Sequence, residues 1–265
     1  MAYFMIKDIV SITHIENQRH SAHYETALID MKNDACDLNP LIKFEEFIIS
    51  GPVFQPSPHA GVLRLTLLLP DSTGSLSICV GEDTQLLTPG ELFCMNSGSG
   101  VVYEERVSSV NCYVHGISIL LNTHSTLKKM SYRTEKFQCH PKRNNETLCI
   151  DGQKNGLGEF RLDIFTLTEI KKFGIESNER IFIYVLSGEI VTEFYGKKNR
   201  LSEKYFIALS HSSKSDFKIG TKKRAQVLIL RAKEVNERSI LLGYLAMNSQ
   251  EQINSILEKD RNGNM

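Results

Sequence analysis

An excess of charge of either sign is missing: 31 Lys and Arg balance 31 Asp and Glu over 265 residues, a formal net charge of +0 at pH 7. Such a chain has no overall basic field to hold nucleic acid and no polybasic anchor for an anionic membrane, although a local patch would escape the sum. Long apolar runs are missing too. The stretch from Val62 to Leu69 is interrupted by Arg64 and falls far short of the roughly 20 residues that cross a bilayer, so no membrane span is expected. Lys7 and Asp8 break the opening and no small-residue cleavage site follows, so a cytoplasmic protein is expected. The six cysteines, at 36, 79, 94, 112, 139 and 149, contain no C-x-x-C pair. They lie mostly in apolar strand-like segments, which excludes a zinc knuckle and implies reduced, buried thiols rather than a disulfide frame.

Catalytic signatures are equally scarce. There is no G-x-S-x-G elbow, no H-E-x-x-H and no His-x-His pair, and no cysteine lies in a nucleophile signature, so catalytic residues stay unassigned. Gly98-Ser99-Gly100 is followed by neither Lys-Ser/Thr nor a helical pattern, so it is a tight strand-to-strand turn rather than a phosphate loop. Lys222, Lys223 and Arg224 form a basic cluster at an expected hairpin, the usual chemistry of a solvated turn.

What the chain does have is 41% hydrophobic residues against 23% charged, enough to bury a core. Short β-branched and aromatic runs closed by clusters such as Asp71-Ser72-Thr73-Gly74 and Thr88-Pro89-Gly90 dominate from about residue 25 to 233. The expected fold class is therefore all-β. Helical periodicity is clear only at the end, where Ser249 and Gln252 make a capping-box pattern before Ile253, Ile256 and Leu257. Two blocks share an order of strands, one through Leu65 to Leu69 and Leu92 to Met95, the other through Ile181 to Leu186 and Tyr205 to Leu209, roughly 115 residues on. That predicts a duplicated barrel. The polar stretch from Lys136 to Gly158, with Pro141, Asn144, Asn145 and three glycines, reads as a linker. The division falls near 140: residues 1–140 form an N-terminal barrel and residues 141–265 a C-terminal barrel with the terminal helix.

Alternate residues of a strand face opposite sides. From 59 to 69 the odd positions are His59, Gly61, Leu63, Leu65, Leu67 and Leu69, while Arg64 and Thr66 are even, which directs the odd face inward. The same parity holds at Val101, Tyr103 and Glu105. If the two strands are neighbours, His59 and Glu105 project into one cavity, as an imidazole and a carboxylate must to share a metal ion. Taken singly, His59 beside a proline is an ordinary hydrogen-bonding residue, and Glu105 is a solvated strand-end charge.

Several motifs in order resemble the pirins: Gly51-x6-Pro58-His59-x-Gly61, Pro89-Gly90-Glu91, Gly98-Ser99-Gly100-Val101-Val102, and His115-Gly116-Ile117-x3-Leu121-Asn122. Gly243-Tyr244-Leu245-Ala246-Met247-Asn248-Ser249 before a helix is similar to the family's closing Gly-Pro-Phe-Val-Met-Asn-Thr. The resemblance implies a bicupin, two stacked antiparallel cupin-type β-barrels, with any metal, commonly iron, in the first. In the family a His-x-His and a His-x-Glu pair hold that metal. Here the pairs read Ser57-Pro58-His59 and Tyr103-Glu104-Glu105, so His59 and Glu105 are residual ligands, and Leu63 stands where some cupins place a further carboxylate. Serine is a poor ligand for iron, and tyrosine must first lose a proton with an ordinary pKa of about 10, so a degenerate site is expected. A His-Tyr-Glu site for iron or another divalent metal is the competing arrangement.

The pocket expected from this reading is apolar, with Ser57, His59, Tyr103 and Glu105 as its polar groups and Leu63 in its wall, suited to a small aromatic ligand. The corresponding function is a cytoplasmic small-molecule-binding or regulatory interaction protein, with a protein partner admitted and no nucleic-acid motif. The alternative that the resemblance implies is a metal-dependent quercetinase, a flavonol 2,3-dioxygenase.

Overall fold

The computed structural model describes residues 9–30, 38–51, 55–108, 112–141, 145–194, 197–210 and 215–265. Strands dominate it, and its helices are one short turn, Ser125–Lys128, and the terminal Gln250–Arg261. None of the described helices is long and apolar enough to cross a membrane.

The chain folds as two antiparallel β-barrels of cupin type, each discontinuous in sequence. One unit gathers residues 17–33, 41–138 and 235–265, and the other gathers 1–16, 34–40 and 139–234. A division at 140/141 thus needs amending at both ends. Ile9–His14 pairs with Tyr205–Ser210 in the second barrel, and the terminal helix packs on the first. The stretch around 140 is also not a linker. Arg133–Gln138 pairs with Glu91–Asn96, and His140–Pro141 and Glu146–Asp151 are strands of the second barrel. Polar residues mark these segments because they lie at the margins of the sheets, Arg133–Gln138 and His140–Pro141 as outermost strands and Glu146–Asp151 next to one. Asn144 lies outside the described residues.

Each barrel has a seven-stranded and a four-stranded sheet among the described residues. In the first, the central strand Val62–Leu68 lies between Glu91–Asn96 and Val114–Asn122. In the second, Glu179–Ser187 lies between Tyr205–Ser210 and Ala225–Lys233 in the same way. The smaller sheets also match in order: Ser57–His59, Val101–Val107, Leu76–Val80 and Asp83–Leu87 answer to Lys171–Ile175, Ser215–Gly220, Glu189–Phe194 and Lys197–Ser202. Five of the six cysteines are free thiols, with Cys94 and Cys149 buried and Cys79, Cys112 and Cys139 only half-buried. Cys36 lies outside the described residues.

The terminal helix begins as its sequence dictates: the Ser249 hydroxyl accepts from the Gln252 backbone N–H, and the Gln252 side chain accepts from the Ser249 N–H. Ile253 and Ile256 are buried against Ala60, Leu245 and Met247, each such isoleucine contributing about 1.5–3 kcal/mol. Just before the helix, Ala246 N–H donates to Ala60 O at 2.9 Å and Ala60 N–H to Tyr244 O at 3.3 Å. This clip fastens the closing segment beside His59. It requires Gly61, whose φ is +67° and where a Cβ would lie 2.1 Å from Ala246 O.

Candidate functional site

Ser57–His59 pairs with the start of Val101–Val107 so that His59 lies opposite Val101 and Ser57 opposite Tyr103. Strand alternation then puts Ser57, His59, Tyr103 and Glu105 on one face. Burial along Val101–Val107 agrees, since Val101, Tyr103 and Glu105 are buried while Val102 and Glu104 are partly exposed. The facing strand contributes its even residues. Arg64 Nη2 donates to Glu105 Oε1 at 3.0 Å, Thr66 Oγ1 donates to the same oxygen at 3.2 Å, and the Tyr103 hydroxyl donates to it as well. Arg64 also lies over the Tyr103 ring, its Cζ 4.6 Å from the centroid.

Leu63 is therefore a correction. It is buried, but it belongs with Leu65 and Leu67 on the face opposite Arg64 and Thr66, and it does not line this site. The physical reason is that every residue of Val62–Leu68 is buried, so neither face is wet. Arg64 and Thr66 are polar because they serve a buried carboxylate.

His59 is 1% exposed and stacked on Tyr244, with ring centroids 4.4 Å apart and planes 9° from parallel; the Tyr103 ring is 4.9 Å away on a tilt. Its Nδ1 lies 3.2 Å from Ser57 O, an atom that only accepts, so Nδ1 carries the proton. Burial first, and then the nearby Arg64 charge, push the imidazole down to a pKa of about 3. The ring is neutral, and Nε2 is a bare acceptor with no partner among the described residues. Burial also raises the Tyr103 phenol well above its ordinary value; Arg64 opposes this, and the Glu105 charge and hydrogen bond add to it. Half-buried Tyr244 and Lys43 form the rim with buried Glu45, Lys43 Nζ lying 2.6 Å from Glu45 and 5.8 Å from the Tyr244 centroid.

This donor set does not fit a divalent metal. The carboxylate is already neutralised by a guanidinium, the phenol is held protonated and gives its hydrogen to that carboxylate, and one imidazole nitrogen is left. Among the described residues no group of three His, Cys, Asp or Glu side chains could hold an ion. The His-Tyr-Glu arrangement loses its tyrosinate for the same reasons. Arg64, Thr66 and Tyr244 were missed by the sequence reading. An arginine inside an otherwise apolar strand was the available signal for the first, because a buried guanidinium needs an acid. Tyr244 carried no signal beyond its place in the closing motif.

The family model for the pirin C-terminal cupin domain matches residues 164–265. No curated protein matches the chain. Among solved structures the chain is similar to quercetin 2,3-dioxygenase from Acinetobacter baumannii, with a TM-score of 0.80 and 15% identity, covering 97% of this chain and 98% of that one. It is also similar to the bacterial pirin YhhW of Escherichia coli, solved in complex with nickel(II), with a TM-score of 0.67 and 16% identity over 85% of this chain and 100% of that one. Such identities carry the fold and not the activity. Residues 164–265 thus match the pirin C-terminal cupin domain, and over the rest of the chain the likeness is one of fold, the two-barrel architecture of a pirin-like cupin.

Proposed function

We propose that the first barrel is a degenerate cupin site that binds a small phenolic or other aromatic ligand without a metal, in a protein of binding or regulatory rather than redox function. The observation that carries this is the Arg64–Glu105 pair, 3.0 Å apart and nearly sealed from solvent, which supplies internally the positive charge that a metal would bring. The ligand class follows from what the site lacks. His59 Nε2 is an acceptor without a donor among the described residues, between the rings of Tyr103 and Tyr244, so an aromatic body carrying an O–H or N–H complements it.

The second reading is a cupin oxidoreductase of quercetinase type, favoured by the likeness to the Acinetobacter enzyme over 97% of this chain. One set of measurements separates the two. Untagged protein is assayed for bound metal, and then titrated calorimetrically with a panel of phenols and flavonols, with and without EDTA. The binding reading expects affinity that EDTA leaves unchanged and that falls at least tenfold in His59→Leu. Flavonol consumption on addition of Fe(II) or Ni(II), abolished by EDTA, would replace it with the dioxygenase reading.

A further inference from the structure

The second barrel carries a separate feature on the outer face of its four-stranded sheet. Phe217 and Ile219 point into that barrel's core, so Lys218 and Gly220, between and beyond them, face away from it. A hollow of about 340 Å³ opens there, with Ile170, Val191 and Gly220 among its apolar lining and Lys198, Lys218 and Lys222 around it. Gly220 makes room for that floor: a Cβ would lie 2.6 Å from Ile170 Cγ1, so only a bare backbone lets Ile170 lie down on the strand. Ile170 is nonetheless 72% exposed, a large aliphatic side chain held open to solvent.

The charge around this floor is one-sided. None of Lys198, Lys218 and Lys222 has a carboxylate partner among the described residues. Lys218 stands directly across from Lys172, a like-charge pair that costs stability, and Lys172 already takes up Asp216 at 2.6 Å. Of the basic run Lys222, Lys223 and Arg224, exposed in a turn as the sequence reading expects, Lys222 is the member that lines the hollow.

From this juxtaposition we infer a second binding site, independent of the first barrel, for a small molecule with a flat apolar body and an anionic group, such as an aromatic carboxylate or sulfonate. The hollow is at the small end of ligand-pocket volumes, which favours such a molecule over a polymer. The apolar floor takes up the body, and the lysines give charge-assisted hydrogen bonds to the anion.

The test is fluorescence titration of the full chain with 1-anilinonaphthalene-8-sulfonate, beside N-phenyl-1-naphthylamine, which has the rings without the sulfonate. The anionic probe is expected to saturate near one site per chain and to bind the parent more tightly than the neutral one. Lys218→Glu with Lys222→Glu should weaken it by about tenfold or more, as loss of a charge-assisted contact implies. Ile170→Asp, an exposed substitution, should do the same with an unchanged melting curve, and it serves alone if the lysine variant does not fold. Equal affinity in parent and variants overturns the proposal. So does equal binding of the neutral probe, or displacement of the sulfonate by a single-stranded oligonucleotide with a steep salt dependence, which would mark a polyanion surface.

Discussion

Arg64 Nη2 lies 3.0 Å from Glu105 Oε1, with the two side chains 9% and 3% exposed. Burial by itself would lower the guanidinium pKa, but the charge of and hydrogen bond to Glu105, together with the nearby Tyr103 and Tyr244 phenols, hold it well above its ordinary value. Breaking such a pair from one side strands a charge, at a cost of about 3–5 kcal/mol, whereas removing both charges costs far less. Arg64→Met is therefore expected to lose about that much in urea unfolding. Adding Glu105→Gln, which keeps an acceptor for Tyr103 and Thr66, should recover at least half of it. A double variant as unstable as the single one would show that packing, not charge, is what Arg64 contributes.

The same pair governs any attempt to restore a metal. Ser57→His with Tyr103→His brings the count of nitrogen and oxygen donors to four with His59 and Glu105. With Arg64 in place the carboxylate is already paired, so this double variant is expected to stay well below one ion per chain when loaded with Ni(II) or Fe(II). Arg64→Met on that background should raise the content to about one. Full loading of the double variant with Arg64 intact, measured by elemental analysis, would refute the view that this guanidinium excludes the ion.

His115 bridges two acids, with Nε2 3.0 Å from Glu46 and Nδ1 2.7 Å from Asp71. Burial works to lower its pKa, but the hydrogen bonds to Glu46 and Asp71 overcome it and the net shift is upward. A raised folded-state pKa means the folded chain holds this proton more tightly than the unfolded one. The resulting stability is fully present below the ordinary histidine value of about 6.5 and is lost as pH rises through the folded value. Comparing urea midpoints at pH 6 and pH 9, His115→Gln should narrow the difference seen in the parent. An unchanged difference would mean that this bridge does not titrate in that window.

Two glycines with nearly equal φ separate backbone strain from steric contact. Gly61 at +67° has Ala246 O where a Cβ would go, while Gly243 at +60° has nothing within 4 Å of that position among the described residues. Gly243→Ala should cost only the left-handed penalty of roughly 1–2 kcal/mol. Gly61→Ala must also push away the segment that holds Tyr244 on His59, and should cost clearly more and weaken phenol binding in the first barrel. Equal melting temperatures for the two variants would count against the clip.

Much of the fold could be read in advance because its signals are local. Turn clusters, β-branched runs and the Ser249–Gln252 box each state their own conformation, and two similar blocks state a duplication. Alternation along Val101–Val107 was legible because one face is wetter than the other. Along Val62–Leu68 it was not, and the polarity of Arg64 and Thr66 pointed the wrong way. Burial on both faces removes the contrast on which period-2 reading depends.

The sequence by itself determined the strands, the capped terminal helix, the presence of Ser57 and Tyr103 where the resemblance implies histidines, and the lack of the catalytic motifs sought, since these depend on residue types and short spacings. Tertiary structure decided what stands where those ligands would be. Glu105 meets Arg64 and Thr66, 41 and 39 residues away, and Tyr244 returns from near the end of the chain to stack on His59. Which cation satisfies a buried carboxylate depends on strand register and on which face is turned inward, and those are fixed only when the sheets close.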